Sequence, residues 1–479
     1  MTSSSIKSKT ASIVIENSIE DIHIPNFDGD CFHQPSQSQS IVIDSHALKD
    51  KISYFASFPQ TGVSLRQMVM FGQNPSAGTL LRASEFLHEE LPIRLAHRVK
   101  ELNELPNRLN EMPSILKVRD WYAQSFEELV EFPKPSLPSE ILAHFEKASS
   151  KSTPLPAATP NPSLPAHMQK PLIDTPGKQR AGLSQRYYTD LEDVVWPPEV
   201  FDYNEKFTQA LSVIKRRHDP VVTTIAQGIL EYKDSLTGSG AISQISQRKN
   251  KLMLIDRAVQ TFLDRFYMSR IGIRVLIGQH IALNQLDPHP DYVGVICINT
   301  NIYQICSEAI DNAMFICEQH YGLFKGPPVQ LVCPKDLTFM YLPSHLNHMV
   351  FEILKNSLRA VVETYGVDAD EFPPIKVIVA QGAEDITIKI SDEGGGISRS
   401  EVPLVWTYMY TTAKAQRLDQ DFEGTDFKAP MAGFGYGLSI ARLYAQYFGG
   451  NLKLISMEGY GTDVYLHLSR LSTSSEPLQ

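Results

Sequence analysis

The chain has 479 residues, with 44 basic and 54 acidic side chains and a formal charge of −10. Hydrophobic residues make up 42% and charged ones 20%, which excludes a fully disordered chain and, at roughly 100–200 residues per domain, allows two to four domains. The acidic balance argues against non-specific nucleic-acid binding, and no run of 18 uninterrupted apolar residues offers a membrane span.

Residues 1–45 are rich in Ser, Thr and Gln and carry little apolar periodicity, so they are expected to be disordered. Their first eleven residues hold Lys but no Arg and no acid, a poor mitochondrial presequence. From residue 46 the pattern turns helical. Phe86, Leu87, Leu91, Leu95, Val99 and Leu102 recur at helical spacing, and Leu116, Trp121, Phe126, Leu129 and Val130 do the same within 114–131. Ten of the 31 prolines then fall between Pro133 and Pro176, marking 133–186 as a Pro-rich insertion with no core of its own. Helical patterning resumes at 200–236 and 251–285, and helices without strands between them predict a four-helix-bundle-like domain over 46–325. The five cysteines (Cys31, Cys297, Cys306, Cys317, Cys333) include no CxxC pair, which speaks against a zinc site or a disulfide framework.

A different pattern begins near Gly326. Short β-type runs at 329–333, 375–380, 386–391, 452–456 and 463–468 interleave with helices at 343–364 and 437–448. An α/β domain is expected over 326–470, followed by a disordered tail, 471–479, so the fold class is α+β.

Three segments of this domain carry chemistry. On the helix 345–360, His348, Glu352, Asn356 and Arg359 fall at spacings of four, four and three, away from an apolar stripe. The amide oxygen of Asn356 suits a hard cation such as magnesium. Next, Asp392-Glu393-Gly394-Gly395-Gly396 directly follows a strand. The glycines let backbone approach a flat ligand, and the Asp392 carboxylate accepts a bond from an exocyclic amine. Finally, Gly433-Phe434-Gly435-Tyr436-Gly437-Leu438 opens a helix, where exposed N–H groups favour an anion. The polar stretch between, 398–432, reads as a mobile lid.

In this order, with Gly461-Thr462-Asp463 before the last strand, the segments resemble the GHKL (Bergerat) α/β sandwich ATP-binding fold. SLRQMVMFG (64–72), FLHEELPIRLAHRVKEL (86–102), RHDPVVTTIAQGILEYK (217–233) and FLDRFYMSRIGIRVLIGQH (262–280) resemble the mitochondrial pyruvate and branched-chain 2-oxoacid dehydrogenase kinases. The resemblance implies a protein serine kinase of the mitochondrial matrix that uses ATP and Mg2+ to inactivate the dehydrogenase component of the pyruvate dehydrogenase complex. It also implies docking to the lipoyl domain of the acyltransferase core, and a homodimer. Glu352 would be the general base, with His348 one turn away to tune an otherwise exposed and weakly basic carboxylate. Lys355 and Arg359 would support the polyphosphate and Asn356 the magnesium. Asp392 and Thr462 would read adenine, Gly394 and Gly396 would line its pocket, and Thr411 and Thr412 would belong to the lid. Gly433, Phe434, Gly435, Tyr436, Gly437 and Leu438 would cradle phosphates. Arg270 and Arg274, four apart on one helix, are candidates for a 2-oxoacid effector site or for a salt bridge to another helix.

Three departures bear on these expectations. Glu393 stands where the family commonly has Arg, and Ser439 where it has Pro. The short ending after YLHLSRL (465–471) looks more like a branched-chain 2-oxoacid dehydrogenase kinase, the alternative substrate reading. A sensor histidine kinase phosphorylated on His218, or a non-catalytic ATP-binding scaffold, is a remoter alternative.

Overall fold

A computed structural model of the chain describes residues 46–73, 75–135, 137–139, 156, 158–163, 196–238, 257–410 and 435–478. The expected disordered segment 1–45 and most of the insertion 133–186 lie outside the described residues.

The helical half comprises α1 (His46–Phe55), α2 (Leu65–Gly72), α3 (Ala77–Asn103), α4 (Pro113–Glu131), α5 (Pro198–Arg217), α6 (Val221–Gly238) and α7 (Arg257–Gln285). Local chemistry sets where these helices start. Ser64 and Gln67 form a capping box for α2, the Ser76 hydroxyl accepts from the Thr79 amide at the start of α3, and Pro113 opens α4 where its missing N–H costs nothing. The run 200–236 divides in two at His218-Asp219-Pro220, since proline has no N–H and disfavours helical geometry in the residue before it. Helix α3 lies against α1, α4, α5 and α7. It buries Leu87, Leu91, Leu95, Val99 and Leu102, the stripe that the periodicity predicts.

The C-terminal half runs β1 (Tyr292–Val293), β2 (Ile296–Asn301), α8 (Ile302–Tyr321), β3 (Val329–Val332), β4 (Thr338–Tyr341), α9 (Pro343–Tyr365), β5 (Ile375–Gln381), β6 (Asp385–Asp392), α10 (Gly437–Tyr447), β7 (Asn451–Met457) and β8 (Gly461–Ser469). The main sheet has the order β3-β5-β6-β8-β7, parallel only between β3 and β5. Ile386, Ile388 and Ile390 of β6 are fully buried on the face that α9 covers, and α10 packs over β7 and β8. The molecule is therefore α+β, with a helical half followed by a helix-covered sheet. A smaller sheet, β1-β2-β4, pairs β2 with β4, and α8 packs on α9. Both contacts cross position 325/326, where the sequence reading placed the domain boundary. The sequence reading, which ends the bundle at 325, leaves α8 with it.

The end of the chain also differs from expectation. Residues 471–478 are not a loose tail: Ser475 bridges to Ser64 and Ser474 to Thr159. Glu476, 2% exposed, accepts from Arg94 Nη1 at 2.9 Å and from the Val63 amide at 3.1 Å, and Tyr447 donates to it as well. Arg94 also donates to Glu90 at 3.1 Å. A guanidinium buried in α3 needs such carboxylates, and this requirement fixes the terminal segment. One piece of the insertion joins the clasp, because Asn161 donates to the Gln446 and Ser475 carbonyls at 3.0 and 3.3 Å.

Candidate active site

Helix α9 builds one wall of the site. Its stripe of Leu346, Met349, Val350, Ile353, Leu354 and Val361 is buried, and this fixes the rotation of the helix. Glu352, Lys355, Asn356, Arg359 and Glu363 consequently line a cavity of about 360 Å³. Contrary to the sequence reading, Glu352 is not exposed. It is 4% accessible and accepts from Lys355 Nζ at 2.7 Å, one turn along the helix. A charge pair this dry is held in one geometry, since either partner alone would be costly to bury. Gly437, at the start of α10, lies against the same carboxylate, and any side chain at that position would collide with it. Arg359 Nε donates to Glu363 at 2.9 Å. Asn356 is exposed and lines the same cavity.

The floor comes from the sheet. Asp392 ends β6 opposite Thr462 of β8. Its Oδ2 accepts from Ser357 Oγ at 2.8 Å and its Oδ1 from the Gly394 amide at 3.0 Å. Burial pushes its pKa up, while bonds from Gly394, Ser357 and the Thr462 backbone pull it back. Thr462 Oγ1 lies 2.8 Å from Ser456 Oγ, which accepts from the Ile397 amide at 2.7 Å. A donor on a flat ligand would thus meet a fixed, hydrogen-bonded carboxylate in a cavity that Lys355 and Arg359 also line.

Of the residues named in the sequence, the cavity brings together Glu352, Lys355, Asn356, Arg359, Asp392, Gly394, Gly396, Gly435, Gly437, Leu438 and Thr462. Two predicted residues point elsewhere. His348 does not line it and sets its ring edge-on to Tyr444, 5.2 Å between centroids. Tyr436 is buried between Tyr267 and Tyr408, so its ring anchors the glycine turn instead of facing a ligand. Thr411, Thr412, Gly433, Phe434 and most of the expected lid lie outside the described residues. Ser357, Glu401 and Tyr410 line the cavity without having been singled out. Ser357 carried the only legible hint, a hydroxyl one residue from Asn356.

Arg270 and Arg274 converge on the turn between α5 and α6. Arg270 Nη2 donates to the His218 and Asp219 carbonyls at 3.1 and 3.3 Å, and Arg274 Nη1 to Asp219 Oδ1 at 2.7 Å. His218 is 2% exposed, stacked on Tyr122 at 4.4 Å, and its pKa is pushed down to about 3, chiefly by burial and then by Arg270. It offers no surface to a phosphoryl donor, which removes the histidine-kinase alternative. A larger cleft of about 630 Å³ between α1 and α3 has charged groups but no buried carboxylate at its base, and Arg82 there already pairs with Glu85 at 2.8 Å.

A helical half followed by this sheet, with a buried carboxylate in the cavity and a glycine turn at a helix start, marks an ATP-binding protein of the GHKL class. Residues 341–472 match the family described as histidine kinase-, DNA gyrase B- and HSP90-like ATPase, and residues 62–297 the family described as mitochondrial branched-chain alpha-ketoacid dehydrogenase kinase. The chain is 48% identical over 446 residues to the mitochondrial [pyruvate dehydrogenase (acetyl-transferring)] kinase of Schizosaccharomyces pombe, covering 90% of this chain and 98% of that one. It is 40% identical to the Arabidopsis thaliana kinase of the same name (90% and 96% covered) and 33% identical to human isozyme 1 (92% and 84% covered). The chain belongs to the mitochondrial pyruvate dehydrogenase kinase family.

Proposed function

We propose that this chain is a mitochondrial protein serine kinase that inactivates the dehydrogenase component of the pyruvate dehydrogenase complex. The observation that carries the reading is the buried Glu352–Lys355 pair, at 2.7 Å, in the same cavity as the hydrogen-bonded Asp392. The relatives named above act on pyruvate dehydrogenase by name, which favours that substrate over the branched-chain dehydrogenase of one family description.

In this reading Asp392 accepts from the exocyclic amine of adenine, and Thr462, Gly394 and Gly396 shape the pocket around it. Asn356 is the side chain that would hold magnesium; its oxygen, exposed in the cavity beside Lys355, fits a hard cation shared with phosphates. Bound Mg-ATP supplies the transferable phosphoryl group and the cation that spreads its charge. Glu352 orients the substrate serine and takes its hydroxyl proton. Lys355 fixes the direction of that carboxylate and, with Arg359, faces the polyphosphate. The amides of the first turn of α10, from Gly437, favour the same anion. Transfer needs alignment and charge stabilisation, and these groups provide both.

The remaining partner assignments rest on surfaces. We assign the aliphatic arm of a lipoyl group to the apolar slot among Met68, Phe71, Phe86, Leu87, Leu276 and Leu283. The outer face of the main sheet leaves Ile378, Ile455 and Met457 38–66% exposed, which favours a homodimer. For Arg270 and Arg274, a small 2-oxoacid would have to compete with Asp219. The test of the catalytic assignment is Glu352→Gln. Nucleotide affinity should stay within about twofold while transfer falls about 10²–10⁴-fold, the range for a positioned base; wild-type turnover in that variant removes Glu352 from the role.

A further inference from the structure

One helix of the N-terminal half, α7, reaches the wall of the nucleotide cavity through two buried tyrosines, Tyr408 and Tyr436. Tyr408 is 1% exposed; its hydroxyl donates to Asp264 Oδ1 at 2.8 Å, and its amide to Gln260 Oε1 at 3.0 Å. Both acceptors belong to α7. The Tyr408 ring packs against Tyr267 of α7 at 5.5 Å and against Tyr436 at 5.3 Å. The next residue, Met409, has φ +64, a left-handed conformation that a branched chain of contacts must hold in place.

Tyr410 follows and lines the cavity. Gly435, φ +75, presses so closely on its backbone that a Cβ there would stand 2.9 Å from the Tyr410 nitrogen. Two residues later Gly437 abuts the Glu352 carboxylate. The same corner is tied from the other side, since Ser439 Oγ donates to the Trp406 carbonyl at 3.0 Å and Arg442 lies over the Trp406 ring at 4.6 Å. Contacts therefore run without a gap from α7 through Tyr408 and Tyr410 to the glycine turn and the base.

We propose that Tyr408 and Asp264 are positioning residues for the nucleotide: the bond between them fixes Met409–Tyr410 on α7 and, through Gly435, sets where the first turn of α10 stands. The proposal rests on the reading of the cavity as the Mg-ATP site. Neither residue lines the cavity. They act through the backbone of Tyr410 and Gly435.

The experiment measures Mg-ADP binding by calorimetry and steady-state kinetics for ATP in wild type, Tyr408→Phe, Asp264→Asn, Asp264→Ala and the double variant Tyr408→Phe/Asp264→Ala, with Asp392→Ala as the control for the site. Tyr408→Phe and Asp264→Ala should each weaken Mg-ADP about five- to tenfold, the worth of one ordinary hydrogen bond, and raise KM for ATP alike while kcat stays within about twofold. Asp264→Asn keeps an oxygen for the Tyr408 hydroxyl and should bind like wild type. The double variant should be no weaker than either single one, since both remove one bond. Ile214→Val, a core change in α5, should lower the melting temperature and leave affinity alone. Wild-type binding in Tyr408→Phe while Asp392→Ala is impaired overturns the positioning role and leaves the site reading standing. So does an Asp264→Asn as weak as Asp264→Ala, or an Ile214→Val as weak as Tyr408→Phe. No nucleotide binding by wild type overturns both. If Asp264→Ala does not fold, Tyr408→Phe and Asp264→Asn decide.

Discussion

Asp392 carries the adenine assignment at the scale of single residues. Removing its carboxylate leaves Ser357 and the Gly394 amide without their acceptor. Asp392→Ala should weaken nucleotide binding about ten- to a hundredfold by calorimetry, and unchanged affinity would refute the assignment. Spacing on α9 made Glu352, Asn356 and Arg359 legible, and the strand-glycine junction did so for Asp392. The burial of Glu352, the Ser357 bond and the inward packing of Tyr436 were not legible, because each depends on how α9 and the glycine turn meet elements distant in sequence. His218 gives a pH prediction. Its folded pKa of about 3 lies below the ordinary 6.5, so the unfolded chain takes up a proton that the folded chain refuses. Stability from this site is complete above about pH 6.5 and falls as the pH drops, by up to about 1.4 kcal/mol per unit. Wild type should therefore lose more stability between pH 7 and pH 5 than His218→Phe does, measured by chemical denaturation; equal losses would contradict the burial argument.

Among elements, long periodic runs were the most readable: α3, α4, α7 and α9, and the alternating β6. Pro220 divided a run that periodicity alone joined. The small β1-β2-β4 sheet and the place of α8 escaped because short strands and an ordinary amphipathic helix do not announce their partners. The terminal segment 472–478 escaped for a sharper reason. Nothing in its composition shows that Arg94, some 380 residues earlier, requires Glu476. Arg94→Leu should strand Glu90 and Glu476 in the interior and destabilise the protein by about 3–5 kcal/mol, with faster proteolysis at the C-terminus. A C-terminus as resistant as wild type would show that the strand-like bridges at Ser474 and Ser475 hold the segment alone.

Across the whole molecule, the net charge of −10 proved a poor guide to the ligand, since the cavity sets Lys355, Arg359 and the start of α10 toward an anion. The helical half carries its own family match, residues 62–297, beside that of the ATP-binding half. It supplies α7, which packs against Tyr408 and Tyr436 at the cavity wall. The central claim is phosphoryl transfer to a serine of pyruvate dehydrogenase, and it is tested most directly by offering Mg-ATP with the pyruvate and branched-chain dehydrogenase components side by side. Acid-stable phosphoserine on the pyruvate dehydrogenase component, with loss of its activity, is the predicted result. Phosphate on the branched-chain component alone, or acid-labile phosphate on the kinase itself, would contradict it.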